Sequence, residues 1–175
     1  MTGQLVNLGL THTAALEAFL EDFDATPEDL HGYFCQRNWT IEKVVTALQD
    51  MASGTDLKEG LVPCSTYFWE QSDMLQGVIN IRHRLNPSLE LHGGHIGFSV
   101  APAHRGKRVA SRMLEAGLLI CQELGIEKAL LTCDSSNEAS RRTIEGRGGR
   151  LEKEECLVSA QARQRWYWID SRYLD

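Results

Sequence analysis

Apolar residues change their spacing along this chain near residue 60. Before that point they recur every three or four positions. Ala15, Leu16, Phe19, Leu20 and Phe23 share one helical face between Thr11 and Asp24, and Ile41, Val44, Val45 and Leu48 share another between Thr40 and Met51. Thr26-Pro27-Glu28-Asp29 has the make-up of a helix start, with Thr as cap and Pro in the first turn. A short strand, Gln4 to Leu8, precedes the helices, and Ser53 to Gly60 is a polar loop.

After residue 60 the pattern becomes that of strands. Val62 to Glu70 is β-branched and aromatic, and Leu75 to Leu85 alternates in two-residue steps. Gln71-Ser72-Asp73 between them predicts a hairpin. Asn86-Pro87-Ser88 reads as a loop and His95 to Val100 as the next strand. A helix from about Lys107 to Leu124 places Ala110, Met113, Leu114, Gly117, Leu118 and Cys121 on one face, with Gly125 as its stop. Lys128 to Cys133 reads as a buried strand. Ser135 and Glu138 have capping-box spacing for a helix to about Arg147, ended by Gly148-Gly149. Leu151 to Ser159 and Gln164 to Asp170 close the chain as a strand pair. The order β, helices, β-β-β, α, β, α, β-β predicts an α/β fold with a mixed sheet. Its two β–α–β passages call for neighbouring parallel strands, and its hairpins for antiparallel ones.

Composition adds bounds. With 175 residues, the chain suits one domain spanning residues 1–175. The net charge of −6 argues against general nucleic-acid binding. No run approaches the roughly 20 apolar residues of a membrane span, and no signal peptide opens the chain. The five cysteines, at 35, 64, 121, 133 and 156, form no C-x-x-C pair. They read as reduced, mostly buried thiols in a cytoplasmic protein, with no metal site.

The candidate chemistry sits where the strand ending at Val100 hands over to the long helix. Ala101-Pro102 breaks the strand and Arg105-Gly106-Lys107-Arg108 follows. Amides at a helix start lack partners within the helix and, with the helix dipole, favour a phosphate or pyrophosphate. Neither G-x-x-x-x-G-K-[ST] nor G-x-G-x-x-G is present, so the usual mononucleotide and dinucleotide loops are excluded.

The segment Arg105-Gly106-Lys107-Arg108-Val109-Ala110 resembles the central motif of the GNAT superfamily of acetyl-CoA-dependent N-acetyltransferases: Arg or Gln, two residues, Gly, one residue, then Gly or Ala. The first and last positions agree, and Arg108 stands where the family has Gly. The likeness extends over roughly residues 75–150, through Ile96 to Val100 and Asn137-Glu138-Ala139-Ser140. Tyr67-Phe68-Trp69, Asn80-Ile81-Arg82-His83 and Gly93-Gly94-His95-Ile96-Gly97 resemble a bacterial-type branch of predicted acetyltransferases.

The resemblance implies a mostly antiparallel twisted sheet flanked by helices, its central strands diverging to hold coenzyme A. It implies acetyl-CoA as co-substrate, held by Phe98, Ser99, Val100, Arg105, Gly106, Lys107, Arg108, Val109, Ala110, Ser111, Asn137 and Ser140, and no metal. The Val100 amide would meet the thioester carbonyl or the pantetheine chain. The acceptor, an amine of a small molecule or peptide, would bind among the helices of residues 10–55, the 62–70 strand and the final hairpin. Trp69, Trp166 and Trp168 are candidates for its walls or for the core. Glu17, Glu21, Asp22, Asp24, Glu28 and Asp29 would attract a cation or form a solvated face.

Transfer to an amine needs a base. Gly94 stands where the family sometimes has Glu, which leaves His95 and His83 as candidates, with Glu90 and His92 behind them. Ile144 occupies the place of the family's tyrosine acid, so the thiolate would leave unaided or take a proton from water. Cys133 reads as a packed thiol. Two rivals stand beside the N-acetyltransferase: an acyl-CoA-binding module without turnover, and an acyltransferase using a longer acyl chain. Monomer and homodimer are both compatible with the sequence.

Overall fold

In the computed structural model, which describes residues 3–30, 39–157 and 162–172, two separate sheets carry the fold. The first is β1 (Gln4–Val6), β2 (Cys64–Gln71), β3 (Met74–Arg82) and β4 (Ile96–Val100), in that order. The second holds β5 (Lys128–Asp134), β6 (Arg150–Leu157) and β7 (Ala162–Asp170) in the order β5-β7-β6. Every ladder is antiparallel.

The expected parallel neighbours do not form. β5 and β6 run in the same direction, but β7 lies between them and takes the hydrogen bonds of both. β4 and β5 meet only at a seam, where His95 N–H donates to the Leu130 carbonyl at 2.7 Å and Gly94 bridges Leu131. Gly94 makes that contact possible. Its φ is +63°, and a Cβ there would stand 2.3 Å from the Leu130 carbonyl oxygen. Beyond the seam the two strands form no ladder, so each sheet ends in a free edge.

Helices cover both faces of the first sheet. On one side lie α1 (Thr13–Glu21), entered through a 3-10 turn at Leu10–His12, and α2 (Ile41–Ser53). Thr40 caps α2 by accepting from Lys43 N–H, and Gly54 ends it at φ +78°. Leu16, Phe19, Phe23, Ile41 and Val44 pack there against Phe68, Leu75 and Val78. On the other side lies α4 (Val109–Glu123). Its buried Val109, Met113, Leu114, Leu118 and Cys121 pack on Ile79, Ile81, Ile96 and Leu131. Full burial of each such side chain contributes about 1.5–3 kcal/mol. Trp69, Trp166 and Tyr167 are core residues of these layers.

Local chemistry moves some predicted boundaries. Ser72 and Asp73, both at positive φ (52° and 59°), make the β2–β3 turn alone. Asn86-Pro87-Ser88 opens a short helix, α3 (Pro87–Leu91), rather than a plain loop. Asn86 Oδ1 accepts from Leu89 N–H at 2.9 Å and Pro87 takes the first helical position. The next helix, α5 (Glu138–Glu145), is capped by Asn137 and not by Ser135. Asp134 Oδ1 accepts from Ser136 N–H and turns the chain first, which delays the helix start. The predicted strand end at Ser159 lies outside the described residues.

Candidate active site

A cavity of about 1640 Å³ opens between the free edges of β4 and β5. One end is the turn before α4, the middle is Ile96 to Val100 facing Leu131 to Asp134, and the other end is α2, the start of β2, Asn80, Arg82 and α3.

The β4 edge carries backbone groups into this space. Arg82 N–H donates to His95 O and Ala101 N–H donates to Gln76 O, which fixes the alternation of the β3–β4 ladder. Gly97 and Ser99 therefore bond to β3, and the N–H groups of Phe98 and Val100 point to the free edge. The Val100 carbonyl accepts from Arg105 Nε at 3.2 Å.

At the turn, Pro102–His104 forms a 3-10 turn, Gly106 has φ +74° and Arg108 caps α4 at φ +62°, ψ +18°. Arg108 thus adopts the left-handed conformation that Gly adopts freely and other residues reach at about 1–2 kcal/mol. The first helical bond of α4 is Arg112 N–H to Arg108 O. Among the described residues, no acceptor meets the N–H groups of Gly106 to Ser111. A Cβ on Gly106 would meet nothing within 4 Å. Six unpaired amides and open space at a helix start fit a pyrophosphate.

Arg105 donates from Nη2 to Asp29 Oδ2 at 2.9 Å, which ties the turn to the Pro27–Asp29 segment. Lys107 does not line the cavity. Its Nζ donates back to the Ala103 carbonyl at 2.9 Å. Asn137 and Ser140 line the opposite wall, with Asn137 Oδ1 accepting from Ser140 N–H.

The two histidines expected as bases lie elsewhere. His95 is 8% exposed and sits in the seam, where its Nδ1 accepts from Leu130 N–H at 2.9 Å. Burial, reinforced by the Arg82 charge, lowers its pKa to about 4. His83 follows β3 and bonds through Nε2 to Ser65 Oγ at 2.8 Å, and burial lowers its pKa. Ser65 pairs with Ile81, so both point to the face opposite Thr66, Asn80 and Arg82. Neither histidine lines the cavity.

His92 does line it. The buried Gln164 donates from Nε2 to the Leu91 carbonyl at 2.6 Å, which turns its Oε1 toward His92 Nδ1. His92 Nδ1–H donates to that oxygen, leaving Nε2 with its lone pair. His92 stood behind the others in the sequence because it lies in a polar loop. Its proximity to His95 was the available signal.

The remaining expectations resolve in place. Trp69, Trp166 and Trp168 do not line the cavity, nor do the described residues of the final hairpin. Trp166 Nε1–H donates to Glu90 O and Trp168 Nε1–H to Glu152. Of the acidic residues named in the N-terminal half, Asp29 alone lines the cavity. Cys133 lines it with its thiol pushed up to about 11 by burial, and Cys64 likewise. Cys35 lies outside the described residues. Ile144 lines the wall, 1% exposed. Among the described residues no group of three or more His, Cys, Asp or Glu could hold a metal ion, and no helix is long and apolar enough to cross a membrane.

Residues 16–148 match the Acetyltransferase (GNAT) family. The chain belongs to the GNAT acetyltransferase family. It is an acetyl-CoA-dependent acyltransferase of that family. No curated protein matches it. Solved GNAT structures share the fold at low identity. The ribosomal-protein-S5-alanine acetyltransferase from Vibrio fischeri is 11% identical with a TM-score of 0.71, covering 100% of this chain and 96% of that one. RimL, a ribosomal L7/L12 α-N-protein acetyltransferase solved with coenzyme A, is 17% identical with a TM-score of 0.69, covering 97% and 94%. An N-acetyltransferase from Staphylococcus aureus Mu50 is 14% identical with a TM-score of 0.66, covering 98% and 99%.

Proposed function

We propose that this protein transfers the acetyl group of acetyl-CoA to a primary amine of a small molecule or peptide. The observation that carries the reading is one continuous cavity. It runs from the unpaired amides of Gly106 to Ser111, past the free β4 edge, to a chamber that His92 lines.

Bound acetyl-CoA supplies an activated thioester and a thiolate leaving group. Gly106 to Ser111 hold its diphosphate through backbone N–H groups, with Arg108 adding charge. Phe98, Ser99, Asn137 and Ser140 line the path of the pantetheine arm. Val100 N–H, aimed at the free edge, polarises the thioester carbonyl and stabilises the negative charge that grows on its oxygen. His92 Nε2 takes the proton from the acceptor's ammonium or attacking amine, and Gln164 steadies the imidazolium through Nδ1–H. Among the described residues no tyrosine lines the cavity, so the thiolate takes its proton from water.

A second reading, acyl-CoA binding without turnover, is favoured by Ile144 standing where the family's tyrosine acid would be. Release of free coenzyme A separates the two. The protein is given acetyl-CoA and a panel of amines, including peptides with free N-termini, because the neighbours include acetyltransferases named for ribosomal proteins. Amine-dependent thiol release with a mass gain of one acetyl group on the amine is the expected result. Saturable acetyl-CoA binding with no release across the panel would replace the enzyme by the binding module. Acyl-CoAs of increasing chain length in the same assay settle the donor.

A further inference from the structure

Among the described residues, no carboxylate balances one cation at the acceptor end of the chamber. Arg82 is half-buried at the end of β3 and lines the cavity. Its Nη1 donates to two neutral carbonyls, Gly93 O at 3.1 Å and Gly94 O at 3.0 Å. Among the described residues, Nη2 and Nε have no acceptor, and no carboxylate forms an ion pair with it. Residues 1–2, 31–38 and 158–161 contain no Asp or Glu, and Asp175 lies outside the described residues.

The guanidinium is also close to the reacting edge. A Cβ built on Gly97 would stand 3.6 Å from Nη2. Gly97 precedes Phe98, whose N–H faces the free edge, so the absence of a side chain at 97 leaves the guanidinium open toward the cleft. Carboxylates elsewhere in the cavity are committed. Asp29 is paired with Arg105, and Asp134 accepts from Ser136 N–H.

A half-buried guanidinium without a counter-charge is costly, and a bidentate carboxylate satisfies it geometrically as well as electrically. A plain ammonium acceptor would instead be repelled at this spot. We infer that Arg82 is a specificity residue and that the acceptor is an amine carrying a carboxylate, whose oxygens take the Nη2 and Nε hydrogens. This rests on the acetyltransfer reading. The same chemistry can come from a free amino acid or from an acidic side chain beside a peptide N-terminus.

The test is a ratio within each protein, so partial loss of folded enzyme cancels. Coenzyme A release is measured with amino acids against their carboxamides, and with C-terminally amidated peptides starting in Asp or Glu against Asn or Gln. Wild type is expected to prefer the carboxylate member of one series by about 10- to 100-fold in kcat/KM, and the series that discriminates names the source. Arg82→Gln is expected to bring that ratio near one, and Arg82→Lys to keep part of it. Turnover with equal use of acid and amide in wild type overturns the inference, as does a preference that survives in Arg82→Gln. Absence of release from every amine overturns the acetyltransfer reading itself, and this inference with it.

Discussion

Leu130 grips His95 twice: its N–H donates to Nδ1 at 2.9 Å, and its carbonyl accepts the His95 N–H at 2.7 Å. This reciprocal pair is the seam between the two sheets. It fixes where β4 and β5 separate, and so where the cleft between them begins. A ring nitrogen that accepts from a buried amide must stay unprotonated, and that commits His95 to structure.

The seam makes stability depend on pH. In the fold the His95 pKa is about 4, against an ordinary value of about 6.5 when unfolded. Below about pH 6.5 the unfolded chain binds the extra proton first, so stability falls as pH drops toward 4. The full difference is about 3 kcal/mol. His95→Asn keeps an acceptor near the Nδ1 position and cannot titrate. Urea unfolding of both proteins should show the wild-type advantage shrinking between about pH 6.5 and 4. An advantage that stays constant across that range would remove His95 as the titrating clamp.

Gly94 should be far less tolerant than other left-handed glycines. Gly94→Ala drives a Cβ to 2.3 Å from the Leu130 carbonyl oxygen, whereas Gly125, at φ +72°, has nothing within 4 Å. Gly125→Ala should cost about 1–2 kcal/mol, the left-handed strain alone. Gly94→Ala should cost at least about 2 kcal/mol more, because backbone must move. Equal melting temperatures for the two variants would mean that the seam is not a tight contact.

His92 should control turnover rather than cofactor affinity. His92→Ala is expected to lower kcat by about 10²–10³-fold while leaving the dissociation constant of acetyl-CoA unchanged. Gln164→Leu removes the oxygen that accepts Nδ1–H, so kcat should fall while acetyl-CoA affinity holds. Loss of acetyl-CoA affinity in step with kcat would make Gln164 merely structural. Normal turnover in His92→Ala would end its role as base.

The sequence was informative wherever local spacing decides structure. The buried face of α4 reads directly from Met113, Leu114, Leu118 and Cys121, and the turn before it from Arg105 to Arg108. It was silent about pairing. Periodicity records that Lys128 to Cys133 is a buried strand but not that β5 pairs with Gln164–Asp170 rather than with β4. It also could not separate His92 from His95. Gly93 and Gly94 lie between them at φ +107° and +63°, and the bend they make sends one ring to the cavity and the other into the seam. Arg82 read as one position of an alternating strand. Its significance depends on its having no carboxylate partner among the described residues, which only the structure shows.

Arg108 separates backbone from side chain in a single position. The amide following it opens α4, and its own φ of +62° is the conformation that Gly reaches without strain. Arg108→Gly relieves left-handed strain of about 1–2 kcal/mol and adds unfolded-state entropy of about 0.5–1 kcal/mol. Stability should therefore hold or rise by up to about 1 kcal/mol. The row of amides survives in this variant, but the cation does not. Coenzyme A binding by calorimetry should weaken by about tenfold at low salt, and the gap should narrow as salt rises. Arg108→Val keeps neither the charge nor an easy left-handed backbone, so it should bind coenzyme A more weakly than Arg108→Gly and melt lower. Tighter binding by Arg108→Gly than by wild type would mean that the side chain obstructs the diphosphate instead of holding it.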